Sequence, residues 1–224
     1  MENRDRIVKD QSKFFFEQQI VSASAKFNNL KVKLDGDGNQ YLSGILDIPD
    51  DLGQIAGHFM IEIRHSGGFP YRFPILYEVG GDIPNDIDFH KYSDSSCCIT
   101  VPADEILKSA NKITVNWFIE NEVIPYFANQ IFRRQTGHYQ NEYEHGRTGV
   151  KQFYETLMKT SDFNLWMKYV RHVFLNEKIN CSRNETCFCG SGDKYKRCHL
   201  QIFNKLKLIG SQHIIFDFKK ITTS

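Results

Sequence analysis

The chain has 224 residues, 41% hydrophobic and 25% charged, with a net charge of +1. Those proportions belong to a globular protein and exclude a disordered or fibrous one. No apolar run is long enough to span a bilayer, and none follows Met1 to Arg6, so neither a membrane anchor nor a signal peptide is expected.

The opening segment, free of Pro and Gly, predicts a helix to about Ser24 with Phe14, Phe15, Ile20 and Val21 as its apolar stripe. Leu30 to Leu34 alternates as a strand, Asp35-Gly36-Asp37-Gly38-Asn39 reads as a hairpin turn, and Tyr41 to Ile48 is the return strand. His58 to His65 alternates again, with Phe59, Ile61 and Ile63 on one face and Met60, Glu62 and Arg64 on the other. After Phe69-Pro70-Tyr71-Arg72-Phe73-Pro74 comes a short apolar strand, Ile75 to Val79, which completes a four-stranded antiparallel meander. Periodicity then disappears from Gly80 to Asn111, the kind of long irregular stretch that carries function in compact domains. Thr114 and Asn116 offer N-caps for a helix from about Trp117 to Arg134, with Trp117, Ile124, Phe127 and Ile131 facing inward and a kink at Pro125. Residues 136–149 read as loop, Gln152 to Lys159 and Phe163 to Glu177 as helices, and Leu206 to Ile221 as a helix end followed by one strand.

Charge divides the chain in two. Leu165 to Ser224 holds 11 Lys and Arg against 4 Asp and Glu, whereas the residues before it hold 17 against 23. An acidic body over residues 1–160 and a basic tail over residues 161–224 are the expected parts of an α+β protein.

The tail contains Cys187-Phe188-Cys189, eight further residues, then Cys198-His199. Three thiols and one imidazole at this spacing make the donor set of a closed, structural Zn²⁺ site. Gly190 and Gly192 supply the positive φ that a tight turn after the second ligand requires. Lys194, Lys196 and Arg197 offset the net negative charge of three thiolates on one Zn²⁺. This spacing resembles the SEC-C motif, a small zinc module at the ends of many bacterial proteins. With four of six cysteines in a ligand pattern, a reducing cytoplasm is expected rather than a disulfide framework. The lysines around the loop, with Tyr195 among them, also have the makings of a nucleic-acid contact. The SEC-C resemblance implies a protein-docking tail instead, and part of this charge offsets the thiolates.

Cys97 and Cys98 stand apart from that pattern, in the irregular stretch. The order of helix, meander, cysteine-bearing loop and crossing helix resembles the ubiquitin-conjugating enzymes over about residues 10–150. Phe69-Pro70-Tyr71-Arg72-Phe73-Pro74 is similar to the proline-rich turn that enters that family's fourth strand. Asp88-Phe89-His90 and Ser96-Cys97-Cys98-Ile99 resemble the pattern of a divergent bacterial branch encoded beside cyclic-oligonucleotide synthases in antiphage operons. The resemblance implies a ubiquitin-conjugating-like fold with Cys98 as acyl acceptor and Cys97 as the alternative nucleophile. The His-Pro-Asn triplet of the eukaryotic members is missing, so His90, Ser95, Ser96 or backbone N–H groups would take over its oxyanion role. The implied reaction forms a thioester with the C-terminus of a partner, a cGAS/DncV-like nucleotidyltransferase, and passes it to an amine. No phosphate-binding glycine motif is present, so the carboxyl group would be activated elsewhere, by a separate activating enzyme or before it reaches this chain. His90 beside a cysteine also leaves a cysteine hydrolase open, and the same fold can act as a non-catalytic adaptor.

Overall fold

The computed structural model describes residues 2–140 and 143–223. The chain is a mixed α+β protein that folds as two compact units. One comprises residues 1–100 and 108–142, the other residues 101–107 and 143–224. The sequence-based boundary at residue 160 lies after the helix Gly146–Met158, which groups with the second unit.

The first unit begins with helix α1, Glu2–Lys26, followed by strands β1 (Leu30–Leu34), β2 (Gln40–Pro49), β3 (Ile55–Arg64) and β4 (Ile75–Glu78). They form one antiparallel sheet in the order β1-β2-β3-β4. Register explains its core face. Leu42 pairs with Ile63, Gly44 with Ile61 and Leu46 with Phe59, and all of these large side chains are buried. The residues between them, Ile45 opposite Met60 and Asp47 opposite His58, face the other way, as a period of two requires.

Helix α1 lies against β1 and β2 by half of the expected stripe, with Ile20 buried and Phe15 packed against the core. Phe16, Ile20 and Ala23 are buried, whereas Phe14 is 62% and Val21 57% exposed. The true stripe follows the 3.6-residue period, which the continuous run Phe14-Phe15-Phe16 blurs. The helix passes into β1 so closely that a Cβ at Gly44 would stand 2.0 Å from the Asn29 carbonyl oxygen, and φ there is +151°. Only glycine fits.

The crossing helix appears as a continuous helical run: α3 (Val115–Phe118), a π-helical segment over Ile119–Val123, and α4 (Ile124–Thr136). Thr114 caps it by accepting the Trp117 N–H at 3.0 Å. The π segment sits just ahead of Pro125, whose missing N–H breaks the regular bonding ladder there. It also shifts the buried face, so Phe118, Ile119 and Val123 join Phe127 in the core while Trp117, Ile124 and Ile131 are only partly buried.

Three further expectations are corrected. The stretch from Gly80 to Asn111 is not wholly irregular, because helix α2 spans Pro102–Ser109. Helix α5, Gly146–Met158, begins inside the expected loop 136–149, of which Asn141 and Glu142 lie outside the described residues. The region Leu206 to Ile221 holds no strand: α7 (His199–Ile209) and α8 (Ser211–Thr222) meet at Gly210. Ile202, Phe203, Leu206 and Ile209 bury a helical stripe in α7, and Ile214 and Phe218 do so in α8.

In the second unit these two helices pack with α5 and α6 (Phe163–Leu175). The centre is aromatic: the Tyr154 ring stands 6.0 Å from Trp166 and 5.1 Å from Phe218, and the Tyr154 hydroxyl donates to the buried Asp217 carboxylate at 2.9 Å. No helix among the described residues is long and apolar enough to cross a membrane.

Candidate functional site

Two clusters carry chemistry, one in each unit. In the first, the cysteine loop extends the sheet. Cys97 N–H donates to the Leu76 carbonyl at 2.8 Å and Glu78 N–H to the Ser95 carbonyl at 3.2 Å, so Ser95 to Cys97 runs along β4. On its other side Cys97 forms a bridge with Lys91, and Cys98 N–H donates to the His90 carbonyl at 2.8 Å.

Strand alternation then separates the adjacent cysteines. β4 turns Leu76 and Glu78 inward, opposite Ile63 and Ile61. Cys97 and Lys91 follow the same face. Lys91 Nζ, also buried, forms an ion pair with the fully buried Glu78 Oε2 and donates to the Ile83 carbonyl at 2.9 Å. The other Glu78 oxygen accepts the Gly80 N–H at 2.8 Å. A carboxylate on the core face of a strand needs such partners, and this pair fastens the start of the loop to its end.

Cys97 packs against the core. Burial pushes its thiol up to about 12, against the smaller opposing effect of the neighbouring Tyr126 hydroxyl. A thiol held protonated is a poor nucleophile. Cys98 is half-buried near the Tyr92 hydroxyl, whose own pKa is raised by burial first and by Cys98 second. His90 adopts a left-handed conformation (φ 53°, ψ 38°) that turns the chain into this loop. Its carbonyl accepts Cys98 N–H and also the Tyr126 hydroxyl at 2.9 Å, while its buried ring meets Tyr139 edge-to-face at 5.0 Å. The two serine hydroxyls are already engaged: Ser96 Oγ donates to Asp94 Oδ1 at 2.6 Å, and Ser95 Oγ bonds the Asn85 side chain at 3.1 Å. Sequence reasoning missed Tyr92, Tyr126 and the Glu78–Lys91 pair. The signal for Glu78 was its place on the inward phase of β4.

The second cluster gathers Cys187, Cys189, Cys198 and His199, with the four donor atoms all within 4.8 Å of one another. Cys187 N–H donates to the Asp193 carbonyl at 2.8 Å and Gly190 N–H to the Cys187 carbonyl at 3.2 Å, which closes the turn. Gly190 and Gly192 have φ of 78° and 79°. Cys198 and His199 open α7. His199 Nδ1 lies 3.2 Å from Cys187 Sγ and 3.3 Å from Cys198 Sγ, and Cys189 Sγ lies 3.6 Å from Cys198 Sγ. Tetrahedral Zn²⁺ with sulfur at about 2.3 Å separates its donors by about 3.5–3.8 Å, so the donor set is compatible with that ion once the wider separations close.

The surroundings suit metal ligation. Burial would raise the Cys189 thiol, but hydrogen bonds from the Ser191 hydroxyl and backbone N–H, with those of Cys187 and Cys198, outweigh it and bring the group down to about 7. The His199 pKa is lowered by burial and then by the Lys159 charge, which favours the neutral imidazole a metal requires. His199 Nε2 lies 3.0 Å from the Tyr169 hydroxyl of α6. That contact leaves Nδ1 to the metal and fixes the ring plane, a supporting role the sequence did not reveal.

The SEC-C motif matches residues 183–201. No curated protein and no solved structure matches the chain at a significant level.

Proposed function

We propose that the first unit is a conjugating-type acyl carrier that accepts the C-terminus of a protein partner on Cys98 and transfers it to an amine. The observation that carries this reading is the division of two adjacent cysteines: Cys97 packs against the core, where burial pushes its thiol up to about 12, while Cys98 lies near the Tyr92 hydroxyl with its main chain anchored on His90. The order of α1, the four-stranded meander, the cysteine loop and the crossing helix supports it, being the order the ubiquitin-conjugating resemblance implies. In the reaction, Cys98 Sγ attacks an activated carbonyl and expels its leaving group. An amine then displaces the thiol and leaves an amide. The backbone N–H groups of the loop are the candidates for holding the oxyanion, since both serine hydroxyls are spent. The donor would be a cGAS/DncV-like nucleotidyltransferase, activated by a separate enzyme, in antiphage cyclic-oligonucleotide signalling.

The second unit would hold Zn²⁺ on Cys187, Cys189, Cys198 and His199. With four protein donors and no open position, the ion would close the loop between Cys187 and His199, a structural role.

Intact-mass spectrometry of the protein recovered from cells with its operon neighbours tests the reading. A partner-sized adduct that free thiol removes, and that is missing in Cys98→Ala, is the expected result. Copurification of a partner with no covalent mass shift, unchanged in Cys98→Ala, would favour a non-catalytic adaptor.

A further inference from the structure

The polar edge of α4 borders a cavity of about 270 Å³ walled by Asp82, Ile83, Pro84, Phe89, Arg133 and Arg134. Its volume is below the usual range for a drug-sized ligand or cofactor and suits one or two side chains. Arg133 defines its chemistry. The guanidinium carbon stands 3.7 Å from the centroid of the Phe89 ring and 5.0 Å from that of Tyr139. Held on these rings, the half-buried guanidinium has neither a hydrogen-bond acceptor nor a carboxylate partner among the described residues.

Its neighbours do not consume it. Arg134 Nη2 donates to the Asp82 carbonyl at 2.7 Å, which leaves most of its own fork free. Gln130 is committed, donating to the Phe89 carbonyl at 2.8 Å and accepting from the Tyr139 hydroxyl at 3.2 Å. The cavity therefore offers guanidinium donors in fixed planes beside an apolar wall of Ile83, Pro84 and Phe89. Arginine forks match a planar carboxylate in bidentate fashion. Two arginines and the Asp82 carboxylate leave one net positive charge, which complements a monoanion and not a doubly charged phosphate.

We propose that this cavity is a carboxylate-binding pocket that reads an acidic group next to an apolar residue on a peptide segment of a protein partner. Such docking is separate from the chemistry of Cys98 and stands whether or not Cys98 forms a thioester.

Nitrogen-detected titration of the arginine side chains in the full chain tests it, with four probes: acetyl-Glu-Leu-amide, acetyl-Gln-Leu-amide, acetyl-leucine as the free acid, and inorganic phosphate. The Arg133 Nε signal should move with the carboxylate probes and not with the glutamine peptide. A stronger response to the glutamate peptide identifies a side-chain carboxylate as the natural source, and a stronger response to acetyl-leucine identifies a chain terminus. Arg133→Lys retains the charge and the ring contact but lacks the fork, and should weaken carboxylate binding about tenfold, with a smaller loss in Arg134→Gln. The proposal fails if no probe moves the signal, if the glutamine peptide binds as well as the glutamate one, or if phosphate binds more tightly than both carboxylates. Unchanged affinity in a folded Arg133→Lys would also overturn it.

Discussion

The backbone N–H of Cys98 donates to the carbonyl oxygen of His90 at 2.8 Å, and Tyr126 donates its hydroxyl to the same oxygen at 2.9 Å. His90 thus positions Cys98 through its main chain, while the crossing helix holds His90. Tyr126→Phe should cost about 1 kcal/mol, the net worth of one hydrogen bond. It should also speed amide exchange at Cys98 relative to the β2–β3 core, as measured by hydrogen exchange. Unchanged exchange would separate the helix from the loop.

Glu78 and Lys91 are buried together, and the cost of an orphaned buried charge governs any change to them. Lys91→Met leaves the Glu78 carboxylate without its cation and should destabilise the protein by about 3–5 kcal/mol. The double variant Glu78→Leu/Lys91→Met should recover most of that loss, because an apolar pair of similar volume has no charge to desolvate. Urea denaturation of the single and double variants measures both.

Cys97 makes stability depend on alkaline pH. Its folded pKa of about 12 exceeds the ordinary 9.0, so the folded state favours the neutral thiol. That contribution is complete below pH 9 and is lost as pH rises through about 12, since only the unfolded thiol ionises in that window. Between pH 8 and pH 10 the protein should lose about 1.4 kcal/mol from this group, and Cys97→Ser should remove that part of the slope.

Much of this architecture was legible because strands announce themselves by alternation. Phe59, Ile61 and Ile63 against Met60, Glu62 and Arg64 mark the inward face of β3 in the sequence itself. The Cys/His cluster was equally clear, since four soft donors in thirteen residues leave few readings other than a metal site. What stayed hidden depends on residues far apart in the chain. Tyr169 reaches His199 across 30 positions and Tyr126 reaches His90 across 36. The α1 stripe was misread because three consecutive phenylalanines cannot all face one side of a helix. The strand expected near Ile221 proved helical, its β-branched residues Ile214 and Ile215 being overridden by packing of α8 against α5 and α7.

Tyr169 tests whether the Cys/His cluster is a tuned metal site. Tyr169→Phe removes the partner of His199 Nε2 while leaving all four donors, and should lower Zn²⁺ affinity by about 10–100-fold. His199→Ala should lose the ion at chelator concentrations the parent survives. Competition with a zinc-sensitive dye measures both.

Cys98 Sγ is the proposed acyl acceptor, and replacing that sulfur with oxygen tests the role without changing the shape of the loop. Cys98→Ser, expressed with the proposed donor, should trap it as an oxygen ester that free thiol no longer removes but mild alkali does. Peptide mapping should place the ester on residue 98. A thiol-reversible adduct that persists in Cys98→Ser, or that maps to Cys97, would rule out Cys98 as the acceptor.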